Sequence, residues 1–266
     1  MRIAQVAPPW LPLPPRGHGG TELVVTVLTE QLHRMGHEVS LFAPGGSRSR
    51  ARLVPVPDEP AGLDAMPDLA FERGQINAVN RRIADFDVVH VHTARQATMA
   101  ATLDVPVVLT LHDPPSPALA EVPRRVWRVP PSRHYLERAG PLALADPVHH
   151  GIDVAAYPLR MDKEDFLLFM GRAVPEKGLH LAIAAARQAG LPLVAVAVRS
   201  GFAREARYLA EVVAPLLGDD VTVLDQVDFA GKVDLMGRAK GFLFPIDWDE
   251  PFGLVVVEAM ACGTPV

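Results

Sequence analysis

Short apolar runs take turns with stretches of helical spacing along the whole chain, and this alternation limits the fold more than any other feature. Segments 2–7, 38–43, 53–56, 87–92 and 105–112 read as strands, with helices expected between them at 21–35, 68–85 and 95–103. In the first helix Val24, Val27, Leu28, Leu32 and Met35 recur three and four apart, and Gly36 reads as its stop. The strands are continuously apolar rather than alternating. That pattern fits a parallel sheet covered by helices on both faces. The pattern then restarts, with strands expected at 166–170, 193–198, 221–224 and 241–245 and helices at 177–189, 204–217, 232–239 and 254–261. The proline-rich stretch 114–131 before the restart reads as loop with short helical pieces. No solenoid repeat or low-complexity tract interrupts the two α/β halves.

Two domains of ordinary size fit within 266 residues, and 49% hydrophobic residues suffice for sizeable cores. Lys and Arg number 26 against 31 Asp and Glu, a formal net charge of −5. No nucleic-acid partner held by a globally basic surface is expected. Cys262 is the single cysteine, which precludes an intrachain disulfide and suits a reducing, cytoplasmic setting. No apolar run is long enough to span a bilayer. The N-terminal Met-Arg-Ile-Ala-Gln-Val-Ala reads as a first strand entering a loop at Pro8-Pro9, not as a signal peptide. Peripheral membrane contact stays open.

The chemistry is concentrated in two blocks. Gly171-Arg172-Ala-Val-Pro-Glu-Lys177-Gly178 offers two cations around a strand-to-helix turn. Glu250-Pro-Phe252-Gly253-Leu254-Val255-Val-Val-Glu258 offers two carboxylates bracketing a helix start. Cations beside a helix N-terminus hold a diphosphate, and carboxylates eight residues apart can grip sugar and ribose hydroxyls. The pair points to a sugar-nucleotide site with no required metal.

These two blocks carry a resemblance to the retaining glycosyltransferases of family four, which have the GT-B fold. Matching pieces run from Gly17 to Val266. The resemblance implies two Rossmann-like parallel-sheet domains facing a cleft. Residues 1–150 would form the acceptor-side domain and residues 151–266 the sugar-nucleotide domain, with His150-Gly151-Ile152-Asp153 resembling the family's entry into the latter. Members of the family usually continue beyond Val266, so the second domain is expected to be incomplete, with an exposed sheet edge open to association.

The resemblance also implies roles. Arg172 and Lys177 would hold the donor diphosphate and stabilise the leaving group. Glu250 would lie near the donor-sugar hydroxyls and Glu258 near the ribose. The amides of Gly253, Leu254 and Val255, next to Phe252, would face phosphate or sugar. In Gly17-His18-Gly19-Gly20-Thr21-Glu22 the spacing departs from the dinucleotide fingerprint. It matches the family's Gly-Gly-x-Glu loop instead, placing Gly19 and Gly20 against diphosphate or acceptor. His112, at the end of a strand, would contact the donor sugar or orient the acceptor hydroxyl. The donor is expected to be a nucleoside-diphosphate sugar, the acceptor an unspecified hydroxyl, and no cofactor or metal is expected.

Other features carry less. Asp247-Trp248-Asp249 has the spacing of a metal-binding pair, but it lies inside the Glu250 block. His149-His150 has no third ligand nearby, and His90 and His92 end the preceding strand much as His112 ends its own. Arg124, Arg125, Arg128 and Arg133 cluster around Trp127, where an anionic acceptor or lipid surface competes with a solvated loop. The chain departs from the family at Val198-Arg199-Ser200-Gly201, where relatives often carry glycine and lysine; Arg199 is the candidate for the missing charge. Two rivals stand beside the transferase. One is a non-catalytic nucleotide-binding fragment or assembly element. The other is an epimerase or phosphorylase on the same fold.

Overall fold

The computed structural model describes residues 1–66, 68–199 and 201–266. The chain forms two compact units. Met1–Pro15, Gly19–Gly151 and Asp249–Phe252 make the first, and Arg16–His18, Ile152–Trp248 and Gly253–Val266 make the second.

In the first unit, β1 (Arg2–Val6), β2 (Glu38–Ala43), β3 (Arg52–Pro55), β4 (Val88–Val91), β5 (Val107–Thr110) and β6 (Trp127–Val129) form one sheet in the order β3-β2-β1-β4-β5-β6. Every neighbouring pair is parallel. Helices α1 (Gly20–Arg34), α2 (Ala70–Asn80), α3 (Ala94–Ala100), α4 (Pro117–Ala120) and α5 (Arg133–Arg138) connect or follow the strands. Successive strand residues serve opposite faces. Phe42 joins Val79, Val89 and Leu109 in one core, while its neighbour Leu41 joins Leu13 and Val25 in another. Both faces are therefore dry, as the continuous apolar runs require.

The second unit holds β7 (Glu164–Arg172), β8 (Leu193–Val198), β9 (Val221–Leu224) and β10 (Ala239–Phe242) in the order β10-β7-β8-β9, again all parallel. Its helices are α6 (Leu179–Ala189), α7 (Ala203–Tyr208), α8 (Phe229–Arg238) and α9 (Leu254–Ala261). Leu168 and Met170 pack with Met236 and Phe242 on one side, and Phe169 packs with Leu179, Ile183 and Leu193 on the other. Each such side chain contributes about 2 kcal/mol on burial.

Four expectations need correction. The stretch 114–131 contains a strand, β6, paired to β5 through Leu109 and Arg128; three residues between prolines were too few to show a period. The helix expected from 177 begins at Leu179, because Pro175–Lys177 is a 3-10 turn closed by Gly178 at φ 76°. A Cβ there would strike the carbonyl oxygen of Pro245, so glycine is obligatory. The segment expected as a helix at 204–217 is helical from Ala203 to Leu216, but it changes type after Tyr208, to a wide turn at Leu209–Val213 and a 3-10 turn at Ala214–Leu216, the last holding Pro215, which has no amide hydrogen to donate. The strand expected at 241–245 lies instead at Ala239–Phe242. Among the described residues no helix is long and apolar enough to cross a membrane.

Candidate active site

Each sheet reverses its strand order at one place, β1/β4 in the first unit and β7/β10 in the second. Open α/β sheets bind ligands beyond the strand ends at such places. The glycine loop follows β1, His92 follows β4 and Arg172 ends β7, while His112 follows β5, one strand further along.

In the first unit, α1 begins immediately after the glycine loop. Gly19 caps it at φ 132°, and a Cβ on Gly19 would come within 2.9 Å of both Glu22 Oε2 and Pro15 Cβ. Gly20 is the first residue of α1. Glu22 is buried in the first helical turn, and that burial raises its carboxyl to about 7.

The neighbouring strand ends are fixed by a glutamine staple. Gln96 Oε1 accepts from the backbone amides of His92 and Thr93, and its amide nitrogen donates to the Ala7 carbonyl and to Gln75 Oε1, both at 2.9 Å. Gln75 itself donates to the carbonyls of Ala7 and Val56. Thr93 and Gln96 complete a reciprocal cap on α3.

Above this staple lies a row of four histidines. The rings of His90 and His92 stack at 4.6 Å, His92 and His112 lie 5.2 Å apart, and His112 and His150 stack at 4.8 Å. Phe252 closes the row, 5.2 Å from His150 and 5.7 Å from His149. Sequence reasoning treated His90, His92 and His150 as minor. The overlooked signal was the two-residue spacing of His90 and His92, which puts both on one face of β4. Burial, reinforced by neighbouring rings, pushes His92 and His112 well below the usual imidazole range, and burial brings His90 and His150 to about 4. The row is neutral at pH 7.

That neutrality predicts acid sensitivity. The unfolded chain binds these protons below about 6.5, while the folded chain resists them down to about 4, so stability is lost as pH falls across that window. Each histidine held at about 4 forfeits at most about 3 kcal/mol. Glu22 and Glu72, whose pKa values burial raises, act in the opposite sense but are outnumbered. Thermal unfolding should show a melting temperature roughly 10 °C lower at pH 4 than at pH 7. A flat profile would remove the neutral-row reading.

The remaining parts of the Glu250 block in this unit are Glu250 and Phe252, flanked by two anchors. Ser132 donates to the Pro251 carbonyl at 2.7 Å, and Arg138 pairs with Asp249 at 2.9 Å. Asp249 is thus engaged with arginine, and among the described residues no His, Cys, Asp or Glu cluster is set to hold a metal ion.

In the second unit, β7 delivers Arg172 to its C-terminal end and the Pro175–Lys177 turn follows. Lys177 Nζ sits 4.0 Å above the Trp248 ring, and the Arg172 guanidinium lies 5.9 Å from the same ring. Trp248 thus joins the two cations on one aromatic platform, a role not foreseen from Asp-Trp-Asp. The Asp247 amide donates to the Glu176 carbonyl at 2.8 Å, tying the two blocks together. Gly253 caps α9 in the left-handed region at φ 82°, with Leu254 and Val255 opening the helix. Glu258, on α9, is 2% exposed. Its Oε1 accepts from Tyr157 and from Lys232, each at 2.6 Å. Burial and the adjacent carboxylate push the Tyr157 phenol well above its usual range.

Arg199, the candidate for a missing cation, is ion-paired with Asp225; Ser200 lies outside the described residues. The pair lines an open pocket of about 490 Å³ with Gly201, Phe202, Glu205 and Gln226, at the C-terminal ends of β8 and β9. Arg128, from the basic cluster, is buried on β6, while Trp127 is exposed.

The family model for Glycosyltransferase Family 4 matches residues 18–153, and that for Glycosyl transferases group 1 matches residues 156–266. The chain belongs to glycosyltransferase family 4. The chain is similar to a phosphatidyl-myo-inositol mannosyltransferase of Mycolicibacterium smegmatis, which is 29% identical over 301 residues, covering 100% of this chain and 75% of the relative. Among solved structures, AviGT4, a glycosyltransferase involved in avilamycin A biosynthesis, is 29% identical with a TM-score of 0.78, covering 100% of this chain and 78% of that one. The Anabaena protein Alr3699/HepE, solved with UDP-glucose, is 21% identical with a TM-score of 0.73, covering 100% and 79%; it shares the fold. This family 4 chain is an enzyme of the glycosyltransferase class, built as two Rossmann-like parallel-sheet domains of the GT-B type.

Proposed function

We propose that this family 4 glycosyltransferase moves a hexose-like sugar from a nucleoside-diphosphate sugar to an acceptor hydroxyl, with retained configuration and without a required metal. The observation that carries the reading is the pairing of Arg172 and Lys177 on Trp248 at the strand-order reversal of the second sheet. Two fixed cations there suit a diphosphate, and they suit it better as the glycosidic bond breaks and charge builds on the leaving phosphate.

The second unit is the donor side. The pocket by Arg199 and Gln226 lies one or two strands from Arg172, roughly 5–10 Å, which is within a nucleoside's reach. It takes the base. Glu258 offers Oε2 to a ribose hydroxyl while Oε1 keeps Tyr157 and Lys232. The amides of Gly253, Leu254 and Val255 face phosphate or sugar. The first unit is the acceptor side: Gly19 and Gly20 approach the substrate closely, Glu250 accepts from donor-sugar hydroxyls, and His112 orients a hydroxyl. The acceptor oxygen bonds to the anomeric carbon as the carbon–phosphate oxygen bond breaks on the same face. The acceptor proton passes to the departing phosphate oxygen. The named relative acts on a phosphatidyl-myo-inositol acceptor, so inositol-bearing lipids and simple polyols head the acceptor screen, with peripheral membrane contact in view.

Incubation with GDP-, UDP- and ADP-sugars and these acceptors, read by released diphosphate and by NMR of the product, tests the proposal. An α-linked product from an α-linked donor, unchanged by EDTA, is expected. A β-linked product overturns retention. Nucleotide binding with no product from any pair overturns the transferase.

A further inference from the structure

Gln5 breaks a rule of its own strand. In Ile3-Ala4-Gln5-Val6-Ala7 it is the one polar residue, and it is completely buried. A buried amide in an apolar sheet is a cost that a site can justify. Its amide nitrogen lies 2.9 Å from His92 Nε2, and His92 Nδ1 lies 2.9 Å from His112 Nε2. An amide nitrogen only donates, so His92 Nε2 accepts. Neutral His92 then carries its proton on Nδ1 and donates it to His112 Nε2. His112 must carry its own proton on Nδ1. Reversing the amide would invert every step, but it would set both N–H donors where Gln5 Oε1 now finds no partner. Unpaired buried donors are rarer in folded proteins than under-satisfied carbonyl oxygens.

We propose that Gln5, acting through His92, fixes the proton of His112 on Nδ1, so that His112 meets its substrate as a hydrogen-bond donor and not as a base. Gln5 and His92 are positioning residues in this scheme, and the inference rests on the reading of His112 as a site residue. It gives that reading a direction. The acceptor proton leaves on the donor phosphate, and His112 Nδ1–H holds a sugar or acceptor oxygen in place. The surroundings support it. His92 is 4% exposed, its backbone amide is held by Gln96, and burial keeps both rings neutral. A neutral ring has two tautomers, so a partner that selects one is needed.

The test is imidazole ¹⁵N NMR at pH 7.5 on the whole protein. The expected spectrum shows His112 protonated at Nδ1 and bare at Nε2. In Gln5→Glu the carboxylate accepts only, so His92 turns to its Nε2–H form and His112 to its own. That variant should lose about 10²-fold in kcat with the acceptor KM changed less than threefold, the size of one transition-state hydrogen bond. Gln5→Met removes the bond but allows both tautomers. It should show a mixed spectrum with a loss below tenfold, and it serves if Gln5→Glu does not fold. His112 protonated at Nε2 in the parent protein, or an unmoved tautomer in both folded variants, overturns the proposal. A His112→Ala variant with full activity would instead overturn the site reading, with the tautomer result standing by itself.

Discussion

Alanine at Lys177 is expected to lower kcat/KM for the sugar nucleotide by about 10²–10³-fold, and alanine at Arg172 by a similar factor. The charge that develops on a departing diphosphate is spread over several oxygens, and a preplaced cation stabilises it without reorganisation. Lys177 qualifies because its ammonium is held 4.0 Å above the Trp248 ring and its turn is locked by Gly178. Trp248→Leu should therefore cost activity as well, about tenfold, by freeing the lysine rather than removing it. Lys177→Arg keeps the charge but not the compact head, and an intermediate loss is expected. Steady-state kinetics with the best donor, with folding checked by circular dichroism, measures this. A double Arg172→Ala, Lys177→Ala variant that keeps a third of the parent activity would refute the diphosphate assignment.

Glu258→Leu is expected to destabilise the protein by about 3–5 kcal/mol, the range for removing one partner of a buried ion pair. The carboxylate is 2% exposed and the Lys232 ammonium side chain 14%, so neither has ready access to water. Removing Glu258 leaves the ammonium and the Tyr157 hydroxyl without their acceptor. Tyr157→Phe deletes a single hydrogen bond to the charged group and should cost about 1.5–3 kcal/mol. Urea unfolding of the three proteins decides it. A Glu258→Leu change under 1 kcal/mol would mean that the carboxylate serves ligand binding alone.

The sequence made the sheets legible because burial on both faces forces unbroken apolar runs, and these survive without any knowledge of contacts. It also placed Arg172 at a strand-to-helix turn, Gly253 at a helix start and Glu258 within that helix, since glycine and proline mark where strands become helices. What stayed hidden depends on lateral register. His90 and His112 become part of one row only when β4 pairs with β5, His90 against Val108. Gln5 reads as an ordinary lapse in hydrophobicity until His92 is beside it. Trp248 looked like the filler of an acidic triplet, and its ring found the two cations through a backbone contact between Asp247 and Glu176. β6 was missed because three residues give no period.

The glutamine staple beneath the histidine row has a consequence for how a ligand is met. The turn after β4 owes its shape to side-chain amides that fill the hydrogen-bonding needs of Ala7, His92 and Thr93. Its conformational entropy is surrendered when the chain folds and not when a substrate arrives. The turn after β4 is therefore set in shape by the fold itself, ahead of any ligand.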